Sequence, residues 1–427
     1  MMNNWNETLS ALAGSASAPA DQTPADTASA AMAMVATAAA AVTGTAGAAA
    51  TLGTDASTNV RTAPGAADAA STYTDFGAVL TAAQLADGFV APVGNLGLIA
   101  ATGDDAATFL HGQLTNDVAN LPAGAVRLAG YCTPKGRLQA TMLMWRGAGA
   151  APAATAAAPG TDAGATINAL NTIDTIYLQV PRAMQPAFQK RLSMFVMRAK
   201  AKLRDATNDP GYEAVLGLGG ARAEAALGAH VPALPAAPNT SVQNAAGTVL
   251  RLPDAFGAPR YLWLTTGDTA AAALPALRAT LALGGTDAWE LSAIHAGIAQ
   301  VTPATLEAFV PQMINYELVG GVNFKKGCYP GQEIVARSQY LGKLKRRTTL
   351  VTIPDATAAA GMELFSVDDP AQPCGMIVNA APNGAGGVDA LVEIKLAAIG
   401  QAVHLGSTTG AAVQFLAMPY DLDPLDL

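Results

Sequence analysis

A chain of 427 residues with a net charge of −8 is too long for one compact core, and too acidic to coat nucleic acid over its whole surface. Hydrophobic residues make up 51% but aromatics only 5%, which fits globular domains joined by alanine-rich filler. Three widely spaced cysteines (Cys132, Cys328, Cys374) form no CxxC pair; no disulfide framework, zinc site or cluster site is expected, and a reducing cytoplasm is the natural compartment.

Residues 1–75 read as a disordered tail. They hold no Lys, one Arg (Arg61) and two aromatics, Trp5 and Tyr73, too few large side chains to repay ordering the backbone. Early acids at Glu7, Asp21 and Asp26 argue against a signal peptide. Residues 27–54 are charge-free and long enough to cross a bilayer. They are built from Ala, Thr and Gly, which gain little on transfer to lipid, so no membrane span is expected.

Order is expected from Phe76. The run 96–100 is a short apolar strand, and Asp104 or Asp105 caps a helix over 106–113. Residues 126–133 and 137–145 form a hairpin turned by Thr133-Pro134-Lys135-Gly136. The Ala/Pro/Gly-rich stretch 147–164 reads as a surface insertion. A strand over 176–180 and a helix over 184–195 follow, and then an alternating run, 196–205, which places Arg198, Lys200, Lys202 and Arg204 on one strand face. A strand over 212–218, a helix over 221–227, a proline-bearing loop over 227–249, a strand over 260–266 and a helix over 269–283 complete an α+β alternation. Thr286-Asp287 caps a further helix to about residue 299, carrying Trp289 and His295. Beyond Arg347 five strand-like runs, 348–353, 362–367, 374–380, 389–396 and 412–418, predict a small barrel.

The chemistry is concentrated in 325–337, Lys-Lys-Gly-Cys-Tyr-Pro-Gly-Gln-Glu-Ile-Val-Ala-Arg. Gly327 and Gly331 allow unusual backbone angles, and Pro330-Gly331 signals a turn before a helix over 332–341 that stops at Gly342. Cys328 then lies just before a helix N-terminus and near Lys326, and both features favour a thiolate. Glu333, in the first helical turn, is placed to accept a proton or to orient Lys326. Lys343, Lys345, Arg346 and Arg347 extend the positive field, so that 325–347 holds seven basic residues and one acid. The bland alternative is a buried core cysteine with a solvated rim of charge. His111, His230, His295 and His404 have no metal-like spacing and are structural by default.

Lys326-Gly327-Cys328-Tyr329-x-Gly331-Gln332-Glu333-x-x-Ala336-Arg337 resembles the signature of the YgfZ family of folate-binding, tRNA-modifying proteins, relatives of the glycine-cleavage T-protein and of mitochondrial iron–sulfur assembly factors. Supporting matches are 109–118 (FLHGQLTNDV), 132–137 (CTPKGR), 296–298, 309–312 and 418–420, so the resemblance covers about 90–420. It implies two interleaved antiparallel α+β subdomains, one of them ferredoxin-like, plus a C-terminal β-barrel. The divisions are a tail over 1–75, a folate-binding region over 76–346 and the barrel over 347–427. It implies tetrahydrofolate or a derivative as ligand, with Trp289, Gly331, Gln332 and Arg337 in binding and Cys328, Lys326 and Glu333 in chemistry. A second family aromatic falls at Leu96, which packs against a pterin without stacking on it. Iron–sulfur proteins or their assembly machinery are the implied partners, with tRNA served indirectly.

Two alternatives accompany this accessory role. Aminomethyl transfer ranks second, because the paired acids that serve folate chemistry in the T-protein are replaced by Ala140 and Thr141. Direct tRNA binding through the 198–204 face and the 343–347 cluster ranks third, since no aromatics interleave those residues.

Overall fold

A computed structural model describes residues 59–62, 72–75, 77–148, 174–341 and 344–422, together with Leu9. Most of the expected tail, residue 76, positions 149–173 of the expected insertion and its flank, Gly342 and Lys343 lie outside the described residues. Within the tail, β1 (Asn59–Thr62) and β2 (Thr72–Asp75) pair antiparallel.

Thr81 opens helix α1 (Ala82–Asp87) with a capping box closed by Gln84. After it come β3 (Phe89–Pro92), β4 (Leu96–Thr102), α2 (Ala106–His111), the hairpin β5 (Val126–Cys132) and β6 (Leu138–Ala148), β7 (Asp174–Pro181), α3 (Gln185–Ser193) and β8 (Lys202–Asp205). All but β3 of these strands form one five-stranded sheet in the order β5-β6-β7-β4-β8. Helices α2 and α3 cover it, burying Leu110, Phe188 and Leu192 against Ile99, Tyr131 and Leu178. Two expectations fail here. Asp105 stands at the N-cap of α2, but its carboxylate accepts the Lys200 backbone N–H at 2.7 Å and makes no cap bond. The strand over 196–205 shrinks to Lys202–Asp205, and turns and bends occupy 194–200. Lys202 and Arg204 therefore share a face, Arg198 and Lys200 do not, and Arg204 is tied to Asp209 at 2.5 Å.

The chain then returns to the sheet that β3 began: β9 (Ala214–Gly219), α4 (Ala223–Gly228), β10 (Thr240–Asn244), β11 (Gly247–Ala255), β12 (Ala258–Thr265), α5 (Gly267–Thr280) and β13 (Ala282–Leu283). Its order is β10-β11-β12-β9-β3-β13, a ferredoxin-like βαββαβ unit with β3 inserted before the last strand. This insertion interleaves the two sheets in sequence. The expected loop over 227–249 contains β10 and the start of β11, a hairpin whose turn is held by Asn244 Oδ1 accepting the Ala246 N–H at 2.8 Å. As a partly exposed edge strand of Thr, Ser, Val, Gln and Asn, β10 shows no apolar alternation. Helix α6 (Thr286–His295) follows, with Gly285 and not a side chain at its N-cap, and ends at His295, two residues before the left-handed Gly297.

Residues 296–331 are irregular apart from two 3-10 turns, Pro303–Thr305 and Pro311–Ile314. Helix α7 (Gln332–Tyr340) leads into β14 (Arg346–Ile353), β15 (Glu363–Ser366), β16 (Gly375–Pro382), β17 (Val388–Lys395), β18 (Val403–Leu405) and β19 (Gln414–Leu416). Their order is β18-β15-β16-β17-β14-β19. The lead-in to β19 also bonds back to β18, Leu405 N–H to Ala411 O and Val413 N–H to Val403 O at 2.9 Å each, which curls the sheet toward barrel closure. The largest core joins all three sheets through Phe89, Trp145, Leu262, Trp289, Phe309, Tyr316 and Leu391. Among the described residues no helix is long and apolar enough to cross a membrane.

Gly297 is left-handed, and a Cβ there would strike the Tyr420 ring, whose hydroxyl donates to the Gly297 carbonyl at 2.9 Å. Gly386 is also left-handed, with open space around it. Gly386→Ala is expected to cost about 1–2 kcal/mol from backbone strain alone. Gly297→Ala is expected to lose about 1–3 kcal/mol more, as measured by urea denaturation.

Candidate functional site

The 325–337 segment is built around the β5–β6 hairpin turn. Gly331 has φ +82°, and a Cβ there would collide with the Thr133 carbonyl and with Gly136, so only glycine lets the two turns meet. Gln332 Oε1 accepts the Tyr329 N–H at 3.3 Å, and the buried Val335 anchors α7, its carbonyl accepting from Gln312 Nε2 at 2.8 Å. Cys328 is exposed, whereas Cys132 and Cys374 are buried, and burial pushes the Cys132 thiol up to about 12. Cys328 is therefore not a core residue, and of the segment's charges Lys325, Glu333 and Arg337 are exposed whereas Lys326 is not.

Lys326 is half-buried, and its ammonium donates to the carbonyls of His111 and, at 2.7 Å, Leu114. It also lies 4.8 Å from the Tyr329 ring centroid. Burial pulls its pKa down to about 8, against the opposing pull of the Asp117 and Cys328 charges. His111 Nδ1 is 3.1 Å from Asp117 Oδ1, and an added Cβ on Gly327 would lie 3.5 Å from His111 Nε2. Burial works to raise the Asp117 pKa, but hydrogen bonds from Asn120 and the charge of His111 outweigh it and leave it lowered. His111 carries no spacing that marks it as a site residue; its one sequence clue is its place in the 109–118 match.

Other expectations for this segment change. Glu333 is exposed on the first turn of α7, and Lys326 is oriented by backbone carbonyls and not by that carboxylate. Arg337 is exposed. The downstream positive field is largely neutralised: Arg346 meets Glu393 at 2.6 Å, and the buried Arg347 meets Glu317 and, at 3.0 Å, the Gln312 carbonyl.

Trp289 lies elsewhere, in a cavity between the two interleaved sheets and α6. Its indole rests on Gly217 of β9, where any side chain would collide with the ring. Arg260 of β12 lines the same cavity, its guanidinium carbon 4.6 Å from the indole centroid, its Nε donating to Ser292 Oγ at 3.0 Å. Gln179, Thr141, Met142 and Tyr316 complete the wall relevant here. Thr141 Oγ1 accepts the Val301 N–H at 2.9 Å, whereas Ala140 packs into the core on the opposite side of the sheet. Among the described residues no Asp or Glu lines the cavity. Cys328, Gly331, Gln332 and Arg337 do not line it either, and Leu96 packs against the central core outside it. The structure thus brings the thiol segment and the hairpin turn together and sets the Trp289 cavity apart. Arg260 and Gln179 were absent from the sequence-derived candidates, because isolated polar residues in apolar strands carry no motif. Among the described residues no three His, Cys, Asp or Glu side chains gather as a metal site.

Interleaved sheets, a closing barrel and a central cavity define a T-protein-like architecture. The glycine cleavage system aminomethyltransferase T of Bartonella henselae superposes with a TM-score of 0.55 over 79% of this chain and 87% of that one, at 16% identity. No protein-family model matches the chain. Sequence relatives narrow the class. The protein named tRNA-modifying protein YgfZ from Cronobacter sakazakii is 31% identical over 247 residues, 57% of this chain and 65% of that protein. Its namesake from Escherichia coli is 30% identical over 251 residues, 59% of this chain and 68% of that protein. The chain belongs to the YgfZ family, and its match spans about two thirds of the length of these relatives.

Lys326 has a folded pKa of about 8, below its ordinary value of 10.5. Between these values the unfolded chain binds more protons at this site than the folded chain does, so stability rises with pH there. Relative to Lys326→Met, wild-type stability is expected to improve from pH 8 to 10.5, as followed by urea denaturation at each pH. A flat difference would remove the assignment.

Proposed function

We propose that this protein is a folate-binding accessory factor in tRNA modification that supports the assembly or repair of iron–sulfur enzymes. The observation that carries the folate reading is the cavity at Trp289, which combines an indole, apolar walls and the buried donors Arg260 and Gln179. An indole face beside buried donors suits the flat face and polar edge of a heterocycle. When bound, the folate would supply one-carbon or redox chemistry; Trp289 would contribute aromatic surface, and Met142 and Leu143 would exclude water. Family membership supports the tRNA-modification part of the reading, since the relatives carry the name tRNA-modifying protein.

The exposed Cys328 serves as the reactive thiol, with Lys326, the hairpin turn and α7 holding its backbone. The partners would be iron–sulfur proteins or their assembly machinery in the cytoplasm. Folate-dependent aminomethyl transfer is the second reading, favoured by the T-protein-like fold. It is weakened by the lining itself, where Thr141 is engaged by the backbone and no carboxylate is present to move a proton.

Titration with tetrahydrofolate, followed by tryptophan fluorescence, tests the binding reading. Trp289→Ala is expected to weaken binding at least about tenfold, through lost aromatic contact. Cys328→Ser is expected to leave binding unchanged and to lower the level of modified tRNA in cells that lack the native gene. Normal tRNA modification with Cys328→Ser would end the thiol role, and no binding by wild type at millimolar ligand would end the folate role.

A further inference from the structure

Arg260 is only 3% exposed, yet no carboxylate pairs with it. Its neighbour Asp254 is taken by Arg251 at 2.5 Å. Arg260 Nε is used by Ser292, and Nη1 makes a long bond of 3.4 Å to the Pro253 carbonyl. Among the described residues no acceptor meets Nη2. Burial, reinforced by repulsion from Arg251, lowers the guanidinium pKa to about 9, which leaves it a cation at neutral pH. A buried cation without a counter-charge is expensive, so the cavity is incomplete without an acceptor. A second, independent group repeats the deficit: Gln179, 4% exposed, lines the same cavity with its Nε2 donor unpartnered.

The wall thus presents a cation and an unpartnered amide donor, and among the described residues it has no carboxylate. A pteridine offers two distinct hydrogen-bonding edges. The 2-amino and N3–H groups are donors, for which this wall holds no acid. The 4-oxo group, and N5 in part, are acceptors.

We propose that Arg260 and Gln179 form a donor subsite for the oxo edge of a flat ligand ring, so that the cavity selects 4-oxo pteridines over their 4-amino analogues. This rests on the folate reading of the cavity and specifies how the ring is turned within it. Replacing the oxo group by an amino group would set donor against donor beside a fixed cation, and a buried polar group left unpaired discriminates strongly. A folate tail carboxylate is the other source of an acceptor. The ring is favoured because Arg260 lies beside the indole, between the sheets, among apolar side chains such as Leu252 and Ile298.

The experiment compares tetrahydrofolate, its 4-amino analogue and tetrahydropteroate, which lacks the glutamate tail, on wild type and on Arg260→Met and Gln179→Leu by calorimetry. Wild type is expected to bind tetrahydrofolate at least about tenfold more tightly than the 4-amino analogue, and Arg260→Met to reduce that ratio to about threefold or less. The wild-type ratio needs no variant to fold. Equal wild-type affinities for the oxo and amino ligands would overturn the subsite and leave the folate reading standing. Weakening of tetrahydrofolate but not of tetrahydropteroate by Arg260→Met would move Arg260 to the tail and also overturn it. No tetrahydrofolate binding by wild type would remove both.

Discussion

The fold depends on satisfying the backbone of an irregular segment buried between three sheets. Residues 303–323 form no ladder, so their polar groups must find partners one at a time. The Phe309 carbonyl accepts from Leu138 N–H at 2.8 Å, and Glu307 N–H donates to the Leu138 carbonyl at 2.9 Å. Asn315, left-handed at φ 55°, grips both backbone polar groups of Thr348, and Tyr316 donates its hydroxyl to the Ala129 carbonyl at 3.0 Å. Thr115 donates to the Gly321 carbonyl at 2.6 Å. Single backbone bonds and side chains therefore do in this segment what strand pairing does elsewhere, and they tie it to the barrel, the first sheet and α7.

This arrangement separates two centres. On one side, the exposed Cys328 rides on a turn locked against the β5–β6 hairpin by Gly331 and tethered by Lys326 to the carbonyls around α2. On the other, Trp289 and Arg260 face the enclosed cavity. The connecting piece is short: Gln312 holds α7 through the Val335 carbonyl, and four residues on, Tyr316 lines the cavity.

Much of the fold was legible because its elements obey local rules. The hairpin turned at 133–136, the helix after Gly331 and five of the six described barrel strands were visible from alternation and turn residues; the three-residue β18 was too short to show a pattern. The edge strand β10 was not, since half-exposed Thr, Ser and Gln resemble a loop. The apparent basic face over 198–204 failed for the converse reason. Alternation of charge alone, without an apolar face to bury, does not hold a strand, and pairing with β4 begins only at Lys202. Of the candidate site residues, the thiol segment was legible as a dense motif, whereas Arg260, Gln179 and His111 come from separate strands and a helix and carry no shared pattern.

The sequence by itself determined the family, the α+β alternation, the barrel and the exceptional segment at 325–337, because each rests on residues adjacent in the chain. Tertiary structure decided which groups face one another. It gave Lys326 to two carbonyls and not to Glu333, paired Arg346 and Arg347 with acids, and placed a cation without a counter-charge beside Trp289. Those outcomes depend on burial and on contacts between distant strands, and burial is what changes the energy of a charge.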